Sequence, residues 1–305
     1  MTRRTPRRLL IMLALLPALC LSARSQERRV SVALLELGGT QTGARAGDRL
    51  AKLLASAEAE GARLALLDRG MSAAAARGVG YAGSLNMTLE EARALGSAVG
   101  CDFYLTGDAQ TIRRSSSARP LYFESYASVF VVSARTGRLV LWERPAAEAD
   151  TAAAAEASLL ASLDAERAAR YAAALAEAAA REERERFEPA VEAASSLIDL
   201  SAEGSTASDD LREPAPYRRL RPSYTEAAAR AEAEATVDAV VDLDEAGEVV
   251  SVEIERWAGF GLDESVAATV RQMHFRPAAR DGRPVPSRVL LRYNFRRPPP
   301  EKGKE

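Results

Sequence analysis

Two short apolar runs near the start of the chain, residues 29–37 and 62–67, are rich in Leu, Val and Ala and stop at Gly38-Gly39 and Asp68-Arg69-Gly70. Runs of this length bounded by turn residues predict buried β-strands. Between them, residues 44–60 place Leu50, Leu53 and Leu54 on one helical face, and Gly61 supplies a stop. A second helix is predicted over 89–99, capped by Thr88 and ended by Gly100, before a strand at 102–106. Residues 122–133 and 139–142 flank Ala134-Arg135-Thr136-Gly137-Arg138, a hairpin signature. The order β-α-β-α-β and then a hairpin predicts an α/β domain.

The pattern then changes. Residues 148–187 are almost entirely Ala, Glu, Arg and Leu, which favours helix, with Leu159, Leu160, Leu163, Tyr171 and Leu175 as a narrow apolar stripe. A spacer or a docked helix is expected ahead of coiled-coil pairing, because heptads are not sustained. Glu188-Pro189 interrupts the helix, and residues 204–216 are polar and end in Pro, as a linker does. Beyond it, Val237, Ala239, Val241 and Leu243 alternate, residues 244–247 turn, and 248–256 alternate again, predicting a hairpin with one buried face. Leu262-Asp263-Glu264 opens a helix with Val266, Val270 and Met273 on one stripe, its acids placed at the positive end of the dipole. Residues 275–277 end that helix, Asp281-Gly282 turns the chain, and 285–295 is a third strand. A β-β-α-β order buries its apolar side by laying the helix across one sheet face.

Composition bears on compartment and chemistry. Arg3, Arg4, Arg7 and Arg8 precede an apolar run at 9–21 and then Ala23-Arg24-Ser25, which reads as a secretory signal cleaved near Ser25. Thirteen apolar residues fall short of the roughly 20 that span a bilayer. Leu19 before Cys20 argues against a lipidated cysteine. Cleavage removes five arginines and no acid, taking the formal charge from −2 to −7, unsuited to nucleic acid or anionic lipid. Membrane contact is then expected only if the segment stays uncleaved. Cys101 alone would remain, so no internal disulfide can form, and its position suits a small buried residue before a strand.

One His and one mature Cys cannot build the usual zinc or nucleophilic constellations, and no carboxylate pair stands out. No catalytic residue, cofactor or metal is expected, and the chain is not read as an enzyme. Residues 78–83 spell G-x-G-x-x-G, but about ten residues separate them from the preceding strand, which is the wrong setting for a dinucleotide. Asp242, Asp244, Gly247 and Glu253 fall partly on a calcium-loop pattern, yet Ala246 takes a ligand place and strands flank it. His274 reads as a packed residue at a helix end.

The run ARALGSAVGCDFYLTGDAQ, followed by YASVFVVSARTGRLVLWE, resembles the periplasmic domains of the CsgG family and its TolB N-terminal-like relatives. More specifically, six separated points make the last 80 or so residues similar to the TonB C-terminal domain family. They are Pro222 and Tyr224, residues 234–237, Gly247, Leu262-Asp263, Phe275-Arg276-Pro277-Ala278, and Asp281-Gly282-Arg283-Pro284-Val285. Ala235 stands where that family usually has Gly, and the 242–247 turn is slightly long.

Together these readings give an α+β chain with a signal at 1–25, a CsgG/TolB-N-like α/β domain at 26–147, and a helical and polar linker at 148–216. A TonB C-terminal domain at 217–298, expected to fold alone from about 221 to 297, and a polar tail at 299–305 complete it. The resemblance implies an exported periplasmic protein that takes part in TonB-dependent transport by pairing with extended segments of outer-membrane transporters. An edge strand offers unpaired N–H and C=O groups that such a segment can satisfy. The expected edge is the last strand, Ser287, Arg288, Val289, Leu290, Leu291, Arg292, Tyr293, Asn294 and Phe295, with Arg288, Arg292, Arg296 and Arg297 as positive charge for an acidic partner. Energy-transducing members carry a His in an uncleaved anchor and a Pro-rich spacer; here His274 lies far from the apolar segment and an Ala-rich helix replaces the spacer. An adaptor is therefore expected ahead of a motor. The alternative is an assembly or structural protein of the outer envelope, with the C-terminal module as a contact between copies of the chain.

Overall fold

The computed structural model describes residues 29–187, 197–202 and 210–297; the predicted signal and its cleavage point lie outside them. The first domain is a mixed sheet of β1 (Val30–Leu37), β2 (Leu64–Leu66), β3 (Phe103–Arg114), β4 (Tyr122–Ser133), β5 (Leu139–Glu143) and β6 (Ala146–Ala149). The strand order is β2-β1-β3-β4-β5, with β6 also on β4. β1 runs parallel to β2 and β3, and the remaining pairs are antiparallel.

Both faces of this sheet are covered, which is why β1 and residues 129–132 near the end of β4 are almost continuously apolar. Side chains alternate, so Val32 and Leu34 enter one core and Ala33 and Leu35 the other. The first face packs against Leu50 and Leu54 of α1 (Gln41–Ala59), whose N-terminus Thr40 caps by accepting from the Gly43 N–H. The second face packs against α2 (Arg69–Gly78) and α3 (Leu89–Val99). Thr88 and Glu91 form a reciprocal capping box on α3, and Gly100 ends it at φ 74°, where the sequence pattern places the stop. The sequence pattern does not predict α2; Asp68, read as a strand stop, is its N-cap.

The Ala-rich stretch is docked and does not act as a spacer. It forms α4 (Ala152–Ser162) and α5 (Ala165–Phe187), and Leu159, Leu163, Tyr171 and Leu175 complete the core beside α1. The expected linker at 148–216 therefore begins inside the first domain. Its polar part also holds β7 (Ile198–Leu200), β8 (Leu211–Arg212) and β9 (Ala215–Pro216), all paired with the C-terminal module.

That module has the predicted β-β-α-β order: β10 (Ala235–Leu243), β11 (Val249–Arg256), α7 (Leu262–Val270) and β15 (Ser287–Phe295), preceded by α6 (Glu226–Ala231). The small strands β12 (Phe275–Arg276), β13 (Ala278–Arg280) and β14 (Arg283–Val285) pair with β9 and β8 and with each other. The main sheet is ordered β11-β10-β15-β7, and α7 lies across the face carrying Val237, Ala239 and Val241. Gly247 closes the β10–β11 turn at φ 81°; a Cβ there would lie 1.9 Å from the Phe275 carbonyl oxygen.

The two domains interlock. Trp257, just after β11, is 1% exposed and packs in the first domain's second core against Phe130 at 5.7 Å. Its Nε1 donates to the Gly137 carbonyl oxygen at 3.0 Å. The Asn86 side chain donates to the Thr236 and Trp257 carbonyl oxygens and accepts from the Thr236 N–H, serving Thr236 as a neighbouring strand residue would.

Candidate peptide-binding edge

β15 is opposed to β10 along its whole length, from Ala235↔Phe295 to Leu243↔Ser287. Its other side is only partly open. β7 pairs with Ser287, Arg288 and Val289 in parallel, so the fully free edge expected from the sequence is shortened to residues 290–295 among those described. The Asp199 carboxylate accepts from the Ser201 N–H and hydroxyl, turning the chain after β7.

Which groups face outward follows from one bond. The Ile198 N–H donates to the Pro286 carbonyl, so even-numbered residues of β15 turn their backbone groups toward β7. Leu290, Arg292 and Asn294 thus present N–H and C=O to the open side, while Leu291, Tyr293 and Phe295 face β10. The Arg219 guanidinium reaches this edge, donating to the Arg292 carbonyl at 3.3 Å and lying 5.8 Å from the centre of the Tyr293 ring.

The charge differs from expectation. Arg288 grips Asp242 through two bonds of 2.7 and 3.0 Å, and that hydrogen bonding holds the Asp242 carboxyl below its ordinary range. Arg292 likewise grips Asp238, 3% exposed, at 2.8 and 3.2 Å, and Arg256 approaches the same carboxylate. Arg297 pairs with Glu232. Arg288, Arg292 and Arg297 are therefore balanced within the molecule and are poor positive charge for a partner. The positive groups left near the edge among the described residues are Arg219, flanked in sequence by exposed Arg218 and Arg221, and exposed Arg296 just after β15. The sequence carries both signals: acids four apart on β10 facing arginines four apart on β15, and the basic run 218–221.

His274 is exposed and sits 2.9 Å from Glu248, so it is not packed at a helix end. Cys101 is half-buried before β3, and burial pushes its thiol up to about 12, leaving it weakly reactive. Gly78 closes α2 and does not follow a strand, so residues 78–83 lack the strand-then-helix setting of a phosphate loop. Among the described residues no helix is long and apolar enough to cross a membrane.

Residues 221–296 match the family model described as the Gram-negative bacterial TonB protein C-terminal. No curated protein matches the sequence. Among solved structures, the hypothetical protein CT253 from Chlamydia trachomatis is 13% identical with a TM-score of 0.32, covering 48% of this chain and 99% of its own. The Pseudomonas aeruginosa TonB C-terminal domain is 17% identical with a TM-score of 0.25, covering 35% of this chain and 98% of its own. In this α+β chain, then, residues 221–296 form a TonB-type C-terminal domain, docked on a larger α/β domain.

Proposed function

We propose that this chain is an exported, periplasmic TonB-family adaptor whose last domain binds extended segments of outer-membrane transporters by adding them to β15. The observation that carries this reading is the edge at residues 290–295, which no strand among the described residues covers and where Leu290 and Asn294 turn their backbone groups outward, in a domain matching the TonB C-terminal family. Arg219, beside that edge, suits a segment with acidic residues. Binding displaces its contact with the Arg292 carbonyl and substitutes a backbone donor.

The test is a calorimetric titration of the full chain with synthetic peptides copying the periplasm-facing ends of TonB-dependent transporters. Saturable binding that Leu290→Pro abolishes supports the reading. No binding by any such peptide overturns it in favour of a contact between copies of the chain.

A further inference from the structure

A cleft of about 1240 Å³ lies between the two domains, walled by β5, β11 and α7 and floored by Trp142, Phe260 and Trp257. Consecutive residues line it: 139–142 of β5 and 251–254 of β11. Successive strand side chains point to opposite faces, so a strand lining a cavity with every residue borders it edge-on. Both strands are terminal in their sheets. Apart from an isolated bridge between Arg256, at the end of β11, and Thr88, no strand among the described residues covers these two sheet edges, and both open onto one apolar cleft.

Their outward groups can be assigned. Thr236 turns both backbone groups to the Asn86 side of β10, and the Asp244 N–H bonds to the Glu248 carbonyl, so even-numbered β10 residues face β11. Their partners Ser251 and Glu253 face inward, which turns the backbone of Val252 and Ile254 into the cleft. On the opposite wall the Ser133 N–H bonds to the Arg138 carbonyl, so Leu141 and Glu143 face β4 and Trp142 faces outward. The Trp142 Nε1, buried, has no hydrogen-bond partner among the described residues.

We infer that this cleft is a second peptide site, which accepts an extended segment of a partner protein as a strand against β11, apart from the β15 edge. Backbone groups on both walls favour a polypeptide over an acyl chain, which satisfies none of them. The aromatic floor calls for apolar side chains at alternate positions. Charge sets the direction: α7 brings exposed Glu264 near its start and exposed Arg271 at its end, neither ion-paired among the described residues. Seven helical residues span about 10 Å, or about three extended residues, so the fitting segment carries a basic and an acidic residue about three positions apart.

The probe is a displayed library of random ten-residue peptides panned on the full chain. Selected peptides should alternate apolar residues and shift the emission of Trp142 and Trp257, the protein's two tryptophans. They should lose about tenfold or more in affinity on Val252→Pro, which removes an outward donor, and on Ala268→Tyr, which fills the cleft from an exposed helix position. Leu290→Pro should leave them unaffected, so failure at one site does not speak for the other. Both cleft variants should keep the parent's thermal midpoint within a few degrees. Peptides that bind the variants and the parent equally overturn the proposal, as does a library with no binders. Palmitate shifting the tryptophan emission while no peptide does makes the cleft an acyl pocket and also overturns it.

Discussion

The indole of Trp257 in the C-terminal domain hydrogen-bonds the carbonyl oxygen of Gly137, in the β4–β5 hairpin turn of the first domain. Gly137 holds φ 75°, and a Cβ there would sit 2.2 Å from the Leu89 carbonyl oxygen, so the turn, α3 and the indole close on one another. Cutting the domains apart would expose this largest buried side chain to water. The fragment 221–297 is therefore expected to be less stable alone than in the full chain. Trp257→Ala should cost the full chain about 3–5 kcal/mol. Urea unfolding followed by fluorescence measures the first effect and by circular dichroism the second. An isolated fragment that unfolds at the same urea concentration as the intact protein contradicts the coupling.

Leu290 and Leu291 are adjacent and both half-buried, yet proline should act differently at each. At 290 it removes an N–H facing the open edge, and peptide binding should fail while the fold persists. At 291 it removes the N–H that faces Ala239 of β10, leaving a buried carbonyl unpaired at a cost of about 1–3 kcal/mol. Chemical denaturation alongside titration separates them. Equal stability losses in the two variants would mean the backbone alternation is misassigned.

Charge reversal at two arginines should separate a partner-facing charge from an internal one. Arg219→Glu should weaken acidic peptides chiefly through slower, salt-dependent association. Arg292→Glu should instead destabilise the fold, because it sets a second carboxylate against the buried Asp238. Stopped-flow association at two salt concentrations, with melting curves, checks both.

Asp263 sits at the start of α7, where its two oxygens accept from the Ala258 and Gly259 N–H groups at 2.8 Å each. Burial raises its carboxyl to about 7 against the pull of those donors. A raised acid holds its proton more tightly folded than unfolded. Its contribution to stability is therefore full below about pH 4 and declines toward pH 7, by at most about 1.4 kcal/mol per pH unit. Carboxyl-carbon NMR should place its midpoint near 7; ionisation persisting down to pH 4 would refute this.

Features set by neighbours along the chain are legible in the sequence. Thr88, Gly100, and the turns at 134–138 and 244–247 depend on local backbone geometry, and they sit where the pattern puts them. The six spaced points of the last domain are equally plain. What depends on distant chain is not legible. The stripe of Leu159, Leu163, Tyr171 and Leu175 announces a buried face but not what buries it. Two- and three-residue strands such as β7 and β8 have no pattern of their own, because partners on β15 and β13 define them. Trp257 is a single aromatic after a strand, and nothing beside it points to a core in the other domain.

The nine opposed pairs between β10 and β15 also determine how the domain bears mechanical load. A pull along the axis of β15 strains them sideways and together, as shear, where a pull across the sheet would open them singly like a zipper. From β10 the tension passes through Thr236 to Asn86, and from the end of β11 through Trp257 to Gly137. A tug on the last strand is thereby felt in the hairpin turn of the first domain, so the interlock makes the two domains a single mechanical body.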